Sequence, residues 1–155
     1  MAITVESRFR DVDKLVAAAQ AKDLDPETAS YYCKLGCVMI CGAVEQSVGI
    51  LIIERIGDRS APQVKPFLRA FFRRGTNYDC EAIKQLLYRF DTGWGDRFTT
   101  FVNANDRIKG GVASCYAIRN SVAHGVSTSL SPQILRQYYE DSFNLIAELE
   151  NILHS

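Results

Sequence analysis

The sequence predicts an all-α protein, a bundle of four to five main helices with short extra helices, folded as a single domain over residues 1–155. Three observations predict it. Apolar residues recur at the i, i+3, i+4, i+7 spacing of a helix face, and no run alternates with the period of two that marks a strand. Only four prolines occur, which leaves room for long helices, and two of them stand where a helix begins. No repeat, low-complexity tract or linker divides a chain of this length.

A first helix is expected over residues 7–22, where Val12, Leu15, Val16 and Ala19 form one buried face. Asp25 and Pro26 then read as an N-cap followed by an N1 proline. No further proline comes until Pro62, so this second helix extends over residues 26–56, closes at Gly57 and spans roughly 45 Å. Its second half is apolar nearly all round, as suits a central helix. A short helix is expected within 62–74 with Gly75 as its cap. Another is expected over 79–90, then a turn at Gly93-Trp94-Gly95 and a short helix over 96–102. A fourth substantial helix covers 105–123, with Gly110-Gly111 expected to permit close packing against another backbone. Ser131 and Pro132 start a last helix that runs to residue 153, with Leu135, Tyr138, Tyr139, Phe143, Ile146, Leu149 and Ile152 inward.

Composition narrows the function. The chain is 47% hydrophobic and 23% charged, an ordinary globular balance. Eighteen basic residues match eighteen acidic ones, so a general polyanion binder driven by counterion release, and stable DNA binding with it, is not expected. A local basic site, or one built from two chains, stays open. The N-terminus Met1-Ala2-Ile3-Thr4-Val5-Glu6 has no apolar targeting core. The apolar run from Val38 to Ile53 is interrupted by Glu45-Gln46-Ser47 and reads as a buried helix, with no membrane partner expected. Five cysteines, an odd number, point to reduced thiols and a cytoplasmic setting. Cys33, Cys37 and Cys41 recur every four residues but lack the pairing of a metal site, so they read as core, and neither a metal nor a cofactor is expected.

Chemistry concentrates in Arg119-Asn120-Ser121-Val122-Ala123-His124-Gly125. A guanidinium matches phosphate oxygens, and an imidazole moves protons near neutral pH. RNA brings its own nucleophile, the 2′-hydroxyl. In a regular helix Arg119 and His124 project about 140° apart, whereas Asn120 and His124 share a face. Two solutions follow: the helix unwinds before His124, or a second copy of the segment completes the site across a twofold axis, making a homodimer.

These residues resemble the R-x4-6-H motif of the HEPN superfamily, with a polar residue after the arginine and an Ala-His-Gly ending, most like the small stand-alone RiboL-PSP type. The resemblance implies a metal-independent endoribonuclease of toxin or antiviral-defence type with its site at a dimer interface. Arg119 would bind the scissile phosphate, His124 would be the acid/base group and Asn120 would orient the pair. A neutralising antitoxin protein is the expected partner besides RNA. The alternative is a non-catalytic HEPN module that binds a nucleotide or another protein. Supporting candidates are Glu45, which interrupts an apolar run and needs a partner such as Arg119, and Ser121. Tyr138 and Tyr139 are candidates if the last helix packs beside the motif. Arg69, Arg73 and Arg74, beside Phe71 and Phe72, are candidates for RNA contact, against the simpler reading of a solvated face.

Overall fold

A computed structural model describes residues 3–57 and 60–155. Among them are seven α-helices and no strand: α1 (Ile3–Ala19), α2 (Pro26–Gly57), α3 (Val64–Phe72), α4 (Cys80–Phe90), α5 (Thr92–Ala104), α6 (Asp106–Ala123) and α7 (Pro132–His154). Met1 and Ala2, which open the segment read as lacking a targeting core, lie outside the described residues.

The boundaries follow from caps. Asp25 accepts from the Thr28 N–H at 2.9 Å at the head of α2. Asp79 accepts from Ala82 N–H at 2.8 Å before α4, and Ser131 from Ile134 N–H at 3.3 Å before α7. Each satisfies one orphan donor of a helix start. α1 begins and ends a few residues earlier than expected. Val5 and Phe9 extend the buried face by a turn, and Ala19 is its last inward residue. The turn expected at Gly93-Trp94-Gly95 is instead the first turn of α5. Asp91 caps it by accepting from Trp94 N–H at 2.9 Å, which offsets the poor helix propensity of two glycines. Gly95 has a packing reason as well, since a Cβ there would overlap the Tyr88 ring.

α2 is the centre of the bundle. Helices α1, α3, α6 and α7 all pack on it, while α4 and α5 pair with each other and lean on α6 and α7. It is the one helix among the described residues long and apolar enough to cross a membrane. In this fold its apolar length is covered instead: Ile40, Val44, Val48, Leu51 and Ile52 are fully buried. Burying a side chain of that size contributes about 1.5–3 kcal/mol. Cys33, Cys37 and Cys41 lie in the same core as free thiols, with Cys41 Sγ 3.8 Å from Cys115 Sγ of α6. Gly36 lets α7 approach, since a Cβ there would meet the Leu135 side chain at 2.7 Å.

The inner face of α7 buries Leu135, Ile146, Leu149 and Ile152, together with Leu145 and Leu153. Tyr138, Tyr139 and Phe143 pack at its edge. The glycine pair of α6 departs from expectation. Gly111 meets the buried Asp141 side chain rather than a backbone, and Gly110 faces open space.

Candidate active site

The motif occupies the last turn of α6, and that turn keeps its helical geometry to the end. His124 N–H still donates to the Asn120 carbonyl at 3.1 Å, and His124 is the C-cap at φ −97° and ψ 9°. Val126 N–H then donates to the Ser121 carbonyl at 2.9 Å and Gly125 N–H to Val122 at 3.1 Å. With Gly125 at φ 68°, this is the Schellman arrangement, which satisfies the orphan carbonyls and requires a left-handed residue after the cap. The glycine after the histidine is therefore a backbone necessity. The helix does not unwind before His124, so the first of the two geometric solutions is not the one this chain adopts.

Arg119 is half-buried while His124 is exposed. Arg119 Nη1 donates to Asn120 Oδ1 at 3.1 Å. The same oxygen receives Asn77 Nδ2 at 3.5 Å, from the loop between α3 and α4. That loop is pinned to α6 by the buried bond from Tyr78 N–H to the Tyr116 hydroxyl at 3.1 Å. Tyr116 lies one helical turn before Asn120, and burial pushes its phenol far above the ordinary 10.0, so it acts as a fixed acceptor. Sequence reasoning missed Asn77 and Tyr116. Tyr116 carried a faint signal in its i−4 spacing from Asn120, and Asn77 carried none.

Glu45 comes in from α2. Its Oε1 is buried without a hydrogen-bond partner. Burial raises its carboxyl above the ordinary 4.5, and the nearby Arg119 guanidinium draws it back down. The two groups therefore lie close, as the sequence suggested, but as an electrostatic pair in which Glu45 Oε1 stays unbonded. Ser121 is half-buried, and its carbonyl serves the helix cap.

The two tyrosines of α7 stand elsewhere. Tyr138 lies near Ser114, more than a turn before Arg119, and burial raises its phenol while Ser114 lowers it. Tyr139 packs edge-on to Phe9 at 6.0 Å and beneath Arg136 at 5.4 Å, on the α1 side. Neither hydroxyl bonds Arg119, Asn120 or His124. His154, the second histidine, ends α7, its Nδ1 2.8 Å from the Glu150 carbonyl.

Of the basic cluster, Arg69 and Arg73 line a cavity of about 440 Å³ together with Glu45, and Arg8 of α1 joins them. Arg74 is not among the lining residues. The sequence model of one family, described as RiboL-PSP-HEPN, matches residues 3–155. No curated protein and no solved structure matches the chain.

Proposed function

This chain belongs to the RiboL-PSP-HEPN family, and from that premise we propose that it is a metal-independent endoribonuclease acting as a homodimer. The single observation that carries the reading is the end of α6. It presents a half-buried guanidinium, oriented through a shared amide oxygen, and an exposed imidazole one turn further on.

The proposed reaction needs no external nucleophile. The RNA 2′-oxygen attacks the adjacent phosphorus, the P–O5′ bond breaks, and the products are a 2′,3′-cyclic phosphate and a free 5′-hydroxyl. Arg119 binds the non-bridging oxygens, whose charge grows in the transition state. His124 takes the 2′-hydroxyl proton or protonates the leaving oxygen. Asn120 and Asn77 hold the guanidinium in place, and Glu45 supports it from behind as a positioning residue.

The regular helix favours the two-copy solution. Gly110, Ala113, Ala117, Asn120 and His124 fall on one exposed or half-exposed stripe of α6, and small side chains there let a second helix come close. Leu35 and Val38 of α2 are 49% and 38% exposed, and Val126, just past the motif, is 58% exposed, giving apolar surface to bury. A self-complementary twofold contact at this face would bring two copies of the motif together. Five free thiols among the described residues suit a reducing cytoplasm. An RNA-cutting enzyme there requires restraint, so a neutralising protein partner is part of the proposal.

The test combines cleavage and oligomeric state. Purified protein incubated with single-stranded RNA and excess chelator is expected to yield cyclic-phosphate ends. Arg119→Ala and His124→Ala are expected to lose about 10²–10⁴-fold in rate. Sedimentation is expected to report a dimer, and induced expression of the wild type alone is expected to arrest growth. Cleavage that survives His124→Ala, or that chelator abolishes, overturns the mechanism.

A further inference from the structure

The cavity beside Glu45 has a charge pattern that the motif does not explain. Arg8 comes from α1, and Arg69 and Arg73 from α3 and its C-cap, so three arginines from two helices line one space of about 440 Å³. None of the three is ion-paired with a described residue, so their donor forks are free. A chain of zero net charge thus places three arginines around one space, a local positive field that favours an anion. The volume falls in the range of small-ligand sites. One wall is apolar, from Phe72, Ile50 and Ile53.

Two links join this space to the motif. Glu45 lines it and lies in the field of Arg119. Thr76 lines it too, and the next residue, Asn77, bonds Asn120. The Glu45 carboxylate repels a phosphate from its own end, so an incoming phosphate settles at the arginines. The planar base is left to the Phe72 wall, where stacking tolerates any base.

We propose that this cavity is a substrate subsite. It holds a nucleotide next to the cleaved bond, with the following phosphate on Arg8, Arg69 and Arg73 and the base against Phe72. The proposal rests on the endoribonuclease reading, and the experiment separates the two. Full-length protein carrying His124→Ala is titrated with a labelled single-stranded RNA octamer, with and without Arg69→Ala/Arg73→Ala. Expected are at least tenfold weaker binding and a salt-dependence slope shallower by about 0.7 per arginine removed. In protein that keeps His124, the double variant is expected to lower kcat/KM on the octamer at least tenfold more than on a dinucleoside monophosphate, which lacks the neighbouring phosphate. Arg8→Ala, from a different helix, is expected to repeat the pattern more weakly and guards against a folding defect in the pair.

Equal losses on both substrates, or none on either, overturn the subsite while leaving the nuclease standing. If no RNA is cut, the nuclease reading falls and the assignment to substrate with it, and octamer binding decides what is left: arginine-dependent binding supports an RNA site in this cavity and its absence overturns that too. Arginine-dependent binding of AMP with octamer binding unmoved also overturns the assignment to substrate.

Discussion

Helix α6 carries one arginine near each end, and each meets a carboxylate from another helix, yet the two pairs are built in opposite ways. Near the N-terminus, Arg107 Nη2 lies 3.0 Å from Asp141 Oδ1, and Asp141 is fully buried. Gly111 clears the space that the carboxylate fills. Near the C-terminus, Glu45 is only half-buried and Arg119 spends a donor on Asn120 rather than on the carboxylate, while buried carboxylate oxygens lack a hydrogen-bond partner in both pairs. The first pair is closed against α7, and its arginine caps it from the solvent side. In the second, Glu45 lines a cavity. Arg107 is committed to a carboxylate by an ion pair, whereas Arg119 is oriented by an amide and keeps donors for a phosphate.

The sharpest way to break that comparison is to truncate both arginines. Arg119→Ala is expected to lower RNA cleavage by about 10²–10³-fold with a melting temperature near the wild type. Arg107→Ala is expected to do the reverse, losing stability while the remaining folded protein cuts normally. Equal activity losses in the two variants, read from initial rates, would erase the distinction.

Next in size is the glycine pair. Gly111→Ala drives a methyl into Asp141 and is expected to cost about 1–3 kcal/mol in urea unfolding. Gly110→Ala meets nothing within 4 Å and is expected to gain up to about 1 kcal/mol. The opposite signs at adjacent positions are the prediction, and a loss at both would mean that α6 packs differently.

Glu45→Gln is expected to lower kcat about tenfold, a smaller effect because Glu45 acts through Arg119 without touching RNA. Its signature is the pH profile. Burial holds the Glu45 carboxyl above 4.5, so wild-type activity should rise with pH as it ionises. The glutamine variant should lack that rise, and an unchanged acid limb would remove Glu45 from the positioning role.

The smallest effect belongs to Asp141→Asn. Burial raises the Asp141 carboxyl above its ordinary 3.8, against the pull of Arg107. The folded state therefore binds that proton more tightly than the unfolded chain. Stability falls as pH rises from 3.8 through the folded value, and the penalty is complete above it. The asparagine variant should gain on the wild type across that window in melts taken at stepped pH, and a constant gap would contradict the buried-charge account.

The legibility of the molecule in its sequence divides along the same line. The long central helix, both proline-led starts, the Gly125 stop and the buried cysteine stripe are periodicity and cap signals, and local chemistry decides them. Gly93-Trp94-Gly95 misled because two glycines outweigh one helix on propensity, while the Asp91 cap and the Tyr88 contact that reverse the balance are tertiary facts. The proximity of Glu45 to Arg119 was legible because a carboxylate in an apolar run needs a cation. Asn77 and Arg8 were not, since each reaches the site from a distant stretch of chain.

What the sequence alone determined is which residues carry reactive groups and which helix face each one occupies, because helix geometry and capping act within a few residues. What only the tertiary structure decided is which of two arginines on α6 is ion-paired with a buried carboxylate and which is held by a neighbouring amide instead. That depends on how far α2 and α7 approach α6, and the approach is set by packing between residues far apart in the chain.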